Sequence, residues 1–396
     1  MLVFAAPGQG AQTPGFCQPW LAVPGFSDRL AAWSDLAGRD LIRYGTTASA
    51  EEITDTAIAQ PLLAAAALAT AEALWGGIPQ AAAAAGVVAG HSVGELPAAV
   101  IAGVISAEDA MRLVAARGDA MAKAAAAERT GMTAVLGGDQ AEVLAALSAH
   151  GLTPANVNGA GQIVAAGTQA QLDALAASPP SGARLRALSV AGAFHTAHMA
   201  PAVAELRAAT TGLTIHDPRV TLLSNADGGV VASGADWLAR IVNQVSAPVR
   251  WDACMATMDS LGATALIELA PGGALANIAK RAMPGVARVA LKTPDDLPAA
   301  RALLAEHGTL EPPADADVPE WRLLVAPAAG VFRACGQIPL GTAVTGGAEL
   351  GHVESRGGGH PITSTFPATV LEWLVKDGDP VDAGQPLVRL QPEGTA

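Results

Sequence analysis

A serine flanked by glycines is the feature of this sequence whose residue types and spacing point most directly to chemistry. The stretch Gly90-His91-Ser92-Val93-Gly94-Glu95 lies between an apolar run, residues 85–89, and a run that can form a helix, residues 96–102. In a G-x-S-x-G turn between strand and helix, the glycines permit a sharp bend and the helix start supplies donors for an oxyanion. The alternative is an ordinary tight turn. We predict that Ser92 is a catalytic nucleophile.

A serine nucleophile needs a base, and His195 lies in the most suggestive setting of the eight histidines. It follows a predicted strand, residues 185–190, and precedes a predicted helix. The alternative is that His195 or His198 caps that helix. Nucleophile and base meet in space rather than in sequence, so the distance from Ser92 along the chain is no objection. His91 is less suited as the base, because a residue beside the nucleophile points away from it across the turn.

The elements that must position these residues alternate between strands and helices. Predicted strands cover residues 2–6, 85–89, 220–224 and 265–268, and predicted helices cover 31–41, 58–75, 106–127, 237–245 and 274–281. This alternation predicts a mostly parallel sheet with helices on both faces. The loop after the first strand, Pro7-Gly8-Gln9-Gly10-Ala11-Gln12, is rich in glycine. It is not a dinucleotide fingerprint, because Thr13 stands where the third glycine is required.

Three further units follow from changes of pattern along the chain. Strands at 132–136, 163–166 and 185–190 alternate with helices at 140–149 and 169–177, which predicts a small α+β subdomain at 129–190, inserted into a body formed by 1–128 and 191–295. Residues 296–320 are rich in proline and acidic residues and are interpreted as a linker. Residues 321–396 contain short apolar strands separated by glycine and proline, which predicts a separate small all-β domain.

Composition narrows the possible partners. The chain has 396 residues, of which 51% are hydrophobic and 15% charged, and its net charge is −13. With no basic run, a nucleic-acid surface is not expected, whereas small, acidic or carrier-bound substrates remain open. We expect no cleavable leader, because the first residues lack a positively charged start before an apolar run, and we expect the apolar segment 61–75 to be too short and too rich in alanine for a membrane span. Cys17, Cys254 and Cys335 lack metal or disulfide spacing, which favours reduced thiols in the cytoplasm.

Residues 1–292 contain an ordered set of short motifs: Pro7-Gly8-Gln9-Gly10-Ala11-Gln12, Gln60-Pro61, Gly90-His91-Ser92-Val93-Gly94-Glu95, Arg117-Gly118, Asn156-Val157-Asn158, Gly161-Gln162, Gly192-Ala193-Phe194-His195, Asn243-Gln244, Pro248-Val249-Arg250-Trp251, Glu268 and Pro271-Gly272. By this set, the segment resembles the malonyl-CoA:acyl-carrier-protein transacylases of fatty-acid and polyketide synthesis. Each motif alone is weak, but their order is specific. The resemblance implies an α/β-hydrolase-like body with a ferredoxin-like insertion.

The resemblance also assigns catalytic roles. Ser92 would be the nucleophile and His195 the general base and acid, and the backbone N–H groups of Gln9 and Val93 would form the oxyanion hole. The imidazole would be held by backbone or amide oxygens near Gln244 rather than by a carboxylate. The chemistry would be malonyl transfer from malonyl-CoA to the phosphopantetheine thiol of an acyl carrier protein, with no metal or redox cofactor.

Other residues would bind the substrate. Arg117 would hold the free malonyl carboxylate with a two-pronged ion pair, although outside this context a solvated helix arginine would be the natural reading. Phe194 would leave little room for an α-methyl branch, and His91 and Asn158 would complete the substrate contacts. One departure from the family pattern is Leu96-Pro97 after Glu95, where the family often has an aromatic and a small residue.

Two alternatives to malonyl transfer remain at this stage. One is an acyl hydrolase on the same fold that clears stalled carrier proteins, and Arg117 argues against it because such relatives tend to lack the carboxylate clamp. The other is a non-catalytic scaffold subunit, which the intact Ser92 and His195 disfavour for the body. The sequence leaves the choice between fatty-acid and polyketide synthesis open.

The final segment, residues 321–396, contains the stretches Ala326-Pro327-Ala328-Ala329-Gly330-Val331 and Val375-Lys376-Asp377-Gly378-Asp379-Pro380-Val381. In these stretches it resembles a biotinyl/lipoyl attachment domain. Where active carriers have a modified lysine, this chain has Val353-Glu354-Ser355-Arg356-Gly357, with Gly357 at the attachment position. Lys376, the only lysine of the segment, lies in a later turn. We therefore expect a domain that carries neither biotin nor lipoate and serves in docking or packing, or simply adds stability.

Overall fold

The computed structural model describes residues 1–308, 322–336, 338–355, 357–364 and 366–392. The chain forms two compact units, Met1–Leu310 and Glu311–Ala396. Residues 309–320 of the predicted linker lie outside the described residues. Arg356, in the segment 353–357 that was compared with the lysine site of carrier domains, also lies outside them.

The helices of the first unit are α1 Phe26–Ala37, α2 Leu41–Thr46, α3 Thr56–Trp75, α4 Ile78–Ala84, α5 Glu95–Ile101, α6 Ala107–Ala126, α7 Gln140–Ala149, α8 Gln169–Ala177, α9 Ala200–Ala209, α10 Gly234–Gln244, α11 Trp251–Ser260, α12 Ala274–Ala282 and α13 Leu297–His307. Its strands are β1 Leu2–Ala6, β2 Val87–Gly90, β3 Thr130–Gly137, β4 Thr153–Gly159, β5 Gln162–Thr168, β6 Ala183–Ala187, β7 Thr221–Leu222, β8 Val249–Arg250, β9 Ala265–Glu268 and β10 Ala287–Ala290.

A five-stranded parallel sheet in the order β10-β9-β1-β2-β7 forms the centre of the body. All five residues of β1 are apolar and buried, as expected for a central strand that helices cover on both faces. Strand β2 pairs with β1 from Val3 opposite Val87 to Ala6 opposite Gly90. Ser92 therefore follows the carboxyl end of a central strand, where parallel α/β sheets place their ligand sites. The predicted α/β class with a mostly parallel sheet is confirmed.

Helix α3 is a long and strongly apolar helix of the body. By length and composition it is long enough to cross a membrane, but 78% of its most apolar stretch is buried within the protein. It packs against α6, and the side chain of Asp55 caps its start by accepting a hydrogen bond from the Ala57 N–H. Its apolar character thus serves the core. Helix α6 begins as predicted, with the Ser106 hydroxyl accepting from the Asp109 N–H at 3.0 Å.

The inserted subdomain is a four-stranded antiparallel sheet in the order β6-β3-β5-β4, to which the body adds β8 alongside β4. The chain order is β-α-β-β-α-β, a ferredoxin-like arrangement, and the predicted insertion class is confirmed. The sequence interpretation omitted β4, because Pro154 and two asparagines interrupt its apolar alternation. It also extended the last strand to residue 190, whereas β6 ends at Ala187.

A helix occupies part of the stretch interpreted as a linker. Helix α13, Leu297–His307, buries Leu297 and Ala300 and contacts β9, β10 and α3. The proline at residue 298 falls in the first turn, where a missing N–H breaks no helical hydrogen bond. The interpretation that the body ends at residue 295 is therefore wrong. The proline at residue 298 was interpreted as a sign of a linker, but it lies in the first turn of helix α13. Near the N-terminus, the single predicted helix at 31–41 is likewise two helices, α1 and α2.

The second unit is all-β, as predicted. Its strands are β11 Arg322–Val325, β12 Gly330–Ala334, β13 Ala343–Val344, β14 Glu349–Ser355, β15 Gly358–Thr363, β16 Ala368–Trp373, β17 Pro380–Val381 and β18 Pro386–Pro392. They form two four-stranded sheets, in the orders β11-β18-β16-β13 and β15-β14-β12-β17. Small apolar clusters around Phe332 and Leu350 fill the unit. Ser355 pairs with Gly358 across the β14-β15 hairpin, whereas Lys376 lies in the turn between β16 and β17.

Candidate active site

The serine lies on a strained turn that only glycines can flank. Ser92 has a φ of 53°, in the left-handed region that non-glycine residues rarely adopt. A Cβ on Gly90 would lie 1.9 Å from the carbonyl of Gly94, and a Cβ on Gly94 would lie 2.2 Å from the carbonyl oxygen of Ala6. No side chain fits either position, so the two glycines let the turn pass close to the end of β1. This is the geometry of a nucleophile elbow.

The serine and the histidine meet in the folded chain. The Oγ of Ser92 lies 2.7 Å from Nε2 of His195. On the other side of the ring, Nδ1 lies 2.8 Å from the backbone carbonyl oxygen of Gln244. A carbonyl oxygen only accepts, so Nδ1 carries the proton and Nε2 is free to accept the serine proton. His195 also has a positive φ, 61°, a backbone conformation that residues other than glycine rarely adopt.

Burial keeps the imidazole neutral. His195 is 3% exposed, and burial together with the positive charge of Arg117 lowers the pKa of His195 to about 3. The ring is therefore an unprotonated base at neutral pH. The Gln244 carbonyl orients the ring without supplying a negative charge, so the site is a serine-histidine pair held by a backbone oxygen, as the resemblance implied.

Arg117 is a buried cation at the bottom of the site. It projects from the middle of α6 and is 1% exposed. Its Nη1 donates to the side-chain oxygen of Gln60 at 2.6 Å, and its Nη2 donates to the side-chain oxygen of Gln244 at 2.7 Å and approaches the Ser92 Oγ at 3.4 Å. Its Nε is buried and donates to no atom within the described part of the chain. A solvated helix arginine is thereby ruled out.

The charge of Arg117 is incompletely balanced by the protein. Burial lowers the pKa of Arg117 to about 10, and only the charge of Glu95 opposes this shift. The partners of the guanidinium are two neutral amide oxygens rather than a carboxylate. Because a buried cation costs free energy unless it is paired, an anionic ligand beside Ser92 would be held strongly.

Glu95 anchors a network that the sequence did not reveal. It is buried, and its side chain accepts hydrogen bonds from the backbone N–H of Asn225 at 2.7 Å and from the side-chain amide of Gln244. The Gln244 side-chain oxygen accepts a hydrogen bond from Arg117. Glu95 therefore helps to orient the Arg117 guanidinium through the Gln244 side chain. Burial raises the pKa of Glu95 to about 7, against the opposing effects of Asn225, Arg117 and Gln244.

Asn225 is a second residue that the sequence interpretation missed. Its side-chain oxygen accepts from the Ser92 N–H at 2.7 Å, and its side-chain nitrogen donates to the Gly90 carbonyl at 2.8 Å. It thus bridges both sides of the elbow. Asn225 follows the short strand β7, and no local pattern marks it. Gln60 was noted only as part of a motif, whereas the structure places its side-chain oxygen on Arg117.

The two residues whose N–H groups were assigned to the oxyanion hole line the same cavity as the serine. Gln9 and Val93 both line it, and neither backbone N–H donates within the described residues. The side-chain amide of Gln9 donates instead to the Thr54 carbonyl and the Thr56 hydroxyl, which fixes the glycine loop against the start of α3. Two unused donors beside the nucleophile are what a developing oxyanion requires.

The cavity has a volume of about 570 Å³ and lies between the body and the inserted subdomain, within the first unit. Phe194, His91 and Asn158 line it together with Ser92 and His195. Nε2 of His91 lies 2.9 Å from the side-chain oxygen of Asn158, and burial lowers the pKa of His91. The His91 side chain thus contacts the subdomain and makes no hydrogen bond to the Ser92 side chain. Of the residues that the sequence assigned to the substrate, Phe194, His91 and Asn158 line the cavity, whereas Arg117 and Gln244 do not. Arg117 reaches the site through the contact of its Nη2 with the Ser92 Oγ at 3.4 Å.

This fold and site define an acyl-transferring serine enzyme, with an elbow serine, a neutral histidine 2.7 Å from its Oγ and a buried arginine 3.4 Å from the same atom. A family model described as "Acyl transferase domain" matches residues 3–299. The chain is 53% identical over 300 residues to the malonyl CoA-acyl carrier protein transacylase of Mycobacterium bovis, covering 75% of this chain and 98% of that protein. It is 33% identical over 304 residues to the Escherichia coli transacylase, covering 75% and 97%.

Solved structures agree. A crystal structure of MCAT from Mycobacterium tuberculosis matches with a TM-score of 0.73 and 52% identity, over 76% of this chain and 99% of that one. A complex of a malonyl-transacylase with a type II PKS acyl-carrier protein matches with a TM-score of 0.69 and 29% identity, over 76% and 99%. The chain belongs to the malonyl-CoA:acyl-carrier-protein transacylases of the acyl transferase family.

Proposed function

We propose that this protein transfers a malonyl group from malonyl-CoA to the phosphopantetheine thiol of an acyl carrier protein, for fatty-acid or polyketide synthesis. One observation carries the choice of acyl group: Arg117 is a buried, incompletely paired cation 3.4 Å from the Ser92 Oγ. A malonyl ester on Ser92 extends its free carboxylate a few bonds from that oxygen, within reach of the guanidinium. An acetyl group has no charge to offer it.

The first half-reaction forms the acyl-enzyme. As the Ser92 Oγ attacks the thioester carbon, its proton passes to Nε2 of His195, and the carbonyl oxygen gains a negative charge that the N–H groups of Gln9 and Val93 receive. The tetrahedral intermediate collapses, the carbon–sulfur bond breaks, and the proton on Nε2 goes to the departing CoA sulfur. Malonyl-Ser92 remains.

The second half-reaction reverses these steps with another thiol. The phosphopantetheine thiol gives its proton to His195 and attacks the ester, and Ser92 recovers the proton as it leaves. We infer that both steps proceed without a metal or redox cofactor, since serine and histidine carry all the protons. The carboxylate held by Arg117 also offsets the charge that lowers the pKa of His195, so binding of malonyl strengthens the base.

We place this reaction in the cytoplasm. The three cysteines are free thiols, as expected for a reducing compartment. For the second unit, we infer that it carries neither biotin nor lipoate and serves in docking or packing.

Transfer and hydrolysis are separated by the fate of the acyl-enzyme. The protein is first loaded with radiolabelled malonyl-CoA, freed of excess substrate, and then mixed with holo-carrier protein or with buffer. We expect label to move to the carrier within the dead time of manual mixing and to stay on the enzyme in buffer. Equal loss of label in both samples, with free malonate as product, would establish a hydrolase.

A further inference from the structure

Three side chains on one outer face of the second unit have the chemistry of metal ligands. The Sγ of Cys335, a carboxylate oxygen of Glu349 and a ring nitrogen of His352 all lie within 4.8 Å of one another. Cys335 and Glu349 are exposed, and His352 is partly exposed. The active site described above uses none of them.

A one-residue bulge brings these residues onto a common face. Glu349 and His352 are three residues apart in β14, and in a regular strand such residues point to opposite faces. The pairing of β14 with β15 shifts between Glu349 and Gly351, so Leu350 is the extra residue. Leu350 is fully buried, while Glu349 and His352 both face outward. Bulges commonly re-aim side chains in this way.

The thiol is placed from the neighbouring strand. Cys335 follows β12, and its backbone N–H donates to the Leu350 carbonyl at 3.2 Å, which continues the β12-β14 ladder by one step. Its Sγ then lies 3.7 Å from a carboxylate oxygen of Glu349. A tetrahedral zinc ion with bonds of about 2.3 Å to sulfur and about 2.1 Å to oxygen holds those two atoms about 3.6 Å apart. The spacing of these two atoms therefore already suits a shared metal ion.

The charges around the cluster also suit a cation. Arg333 lies opposite His352 across the β12-β14 pair, but its charge is paired with Glu354 at 3.1 Å, and the Glu349 carboxylate contacts the Cys335 thiol instead. Glu354 in turn places a carboxylate oxygen 3.8 Å from Nε2 of His352. Carboxylates beside a ligand imidazole orient the ring and raise its basicity.

We propose that Cys335, Glu349 and His352 bind a single divalent transition-metal ion, with zinc as the best match. A thiolate and an imidazole select zinc or its neighbours over magnesium and calcium, which prefer oxygen ligands alone. Three protein ligands at an exposed face leave a fourth position for water or an external ligand. The ion would join the end of β12 to the bulge of β14. On binding, the Cys335 thiol releases its proton to solvent and the sulfur bonds to the metal as thiolate.

The test uses the full-length protein, freed of metal with a chelator. Cys17 and Cys254 are fully buried, so a chromogenic thiol reagent reports on Cys335. We expect zinc ions to slow this reaction by about tenfold or more. We also expect one equivalent of cobalt(II) to produce a sulfur-to-cobalt charge-transfer band in the near ultraviolet.

Variants assign the ligands. Glu349→Gln and His352→Gln should each weaken the zinc protection of Cys335 by about tenfold or more, and Cys335→Ser should abolish the cobalt band. His360→Gln and Glu372→Gln are matched controls in the same unit and should leave both signals unchanged. Circular dichroism of each variant checks folding. Unchanged thiol reactivity in saturating zinc, or protection that persists in both ligand variants, overturns the proposal.

Discussion

The active site and the outer face of the second unit hold similar side chains in opposite surroundings. In the body, Ser92, His195 and Arg117 are buried, and their partners come from segments far away in sequence. In the second unit, Cys335, just after β12, and His352, in β14, lie at the surface close to residues that are near them in sequence. Burial changes the pKa values of the ionisable groups in the body: it lowers the pKa of His195 to about 3 and raises the pKa of Glu95 to about 7. Exposed groups remain available to ligands from solvent.

The comparison shows how a protein separates reactivity from binding capacity. A reactive pair needs fixed geometry and exclusion of water, so the body accepts strained φ angles at Ser92 and His195. Such strain persists only where surrounding contacts enforce it, and Asn225 and Gln244 provide them. The metal-ligand cluster of the second unit depends instead on a single bulge.

The largest expected effect comes from removing the nucleophile. Ser92→Ala should lower malonyl transfer by on the order of 10⁴-fold or more, because no other group can carry the acyl chain. The free energy of unfolding should change little, since only one oxygen is lost. Steady-state transfer to carrier protein and chemical denaturation measure the two quantities. Transfer near the wild-type rate would show that the acyl group travels by another route.

The next largest effect concerns the buried cation. Arg117→Ala should lower kcat/KM for malonyl-CoA by about 30- to 1,000-fold, or about 2–4 kcal/mol, because the malonyl carboxylate loses its charged partner. Activity toward acetyl-CoA should rise relative to malonyl-CoA. An unchanged ratio of the kcat/KM values for malonyl-CoA and acetyl-CoA would refute the proposal that Arg117 binds the malonyl carboxylate.

The same variant has a pH signature. The charge of Arg117 lowers the pKa of His195, so its removal should raise that pKa, and the base should become protonated earlier as pH falls. The acid limb of enzyme acylation by p-nitrophenyl acetate, which lacks a carboxylate, should therefore move to higher pH in Arg117→Ala. Arg112→Ala, a change at an exposed arginine on the same helix, is the matched control and should leave the limb in place.

A smaller effect should follow from a change at Glu95, which contacts Arg117 only through Gln244. Glu95→Gln keeps the shape of the side chain but presents fewer acceptors to Asn225 and Gln244, so Gln244 should hold Arg117 less firmly. We expect kcat/KM for malonyl-CoA to fall about tenfold and the malonyl-to-acetyl ratio to narrow. Glu128→Gln, at an exposed site beside His198, should change neither value. A loss that is equal for both acyl groups would make Glu95 purely structural.

The smallest expected effect is no change at all. Protein purified from a host rich in biotin and lipoate should show its unmodified mass, because the proposed resemblance to a carrier domain aligns Gly357 with the modified lysine, and Lys376 lies in the turn between β16 and β17. Intact-mass analysis measures this directly. A biotinylated or lipoylated peptide from residues 321–396 would contradict the interpretation of this unit.

The sequence predicted the local elements and the pairing of Ser92 with His195, but it missed the other contacts that tie distant segments together around this pair. Ser92 was predictable because the elbow needs glycines at fixed spacing, and β1 because an unbroken apolar run suits a central strand. Glu95 and Asn225 were not assigned roles, because their bonds join segments about 130 to 150 residues apart and no local pattern encodes them. Helix α13 was missed for a different reason, since proline starts some helices and ends others.

The cluster of Cys335, Glu349 and His352 shows the same limit. The spacing of its residues matches no metal motif, and the bulge at Leu350 that aligns them is visible only in the folded strand pair. Arg117 is a different case. The residues around it in the sequence favour a solvated helix arginine, and only the resemblance of residues 1–292 to the transacylases assigned it to the substrate.

The most direct test of the account is to find where the malonyl group goes when no acceptor is present. The protein is mixed briefly with malonyl-CoA, quenched in acid, digested and analysed by tandem mass spectrometry, with His195→Ala treated in parallel. We predict one malonyl ester per chain, located on Ser92, and slow formation of the same ester in the variant. Malonyl on any other residue, or no covalent intermediate in a protein that still transfers malonyl to carrier protein, would contradict the account.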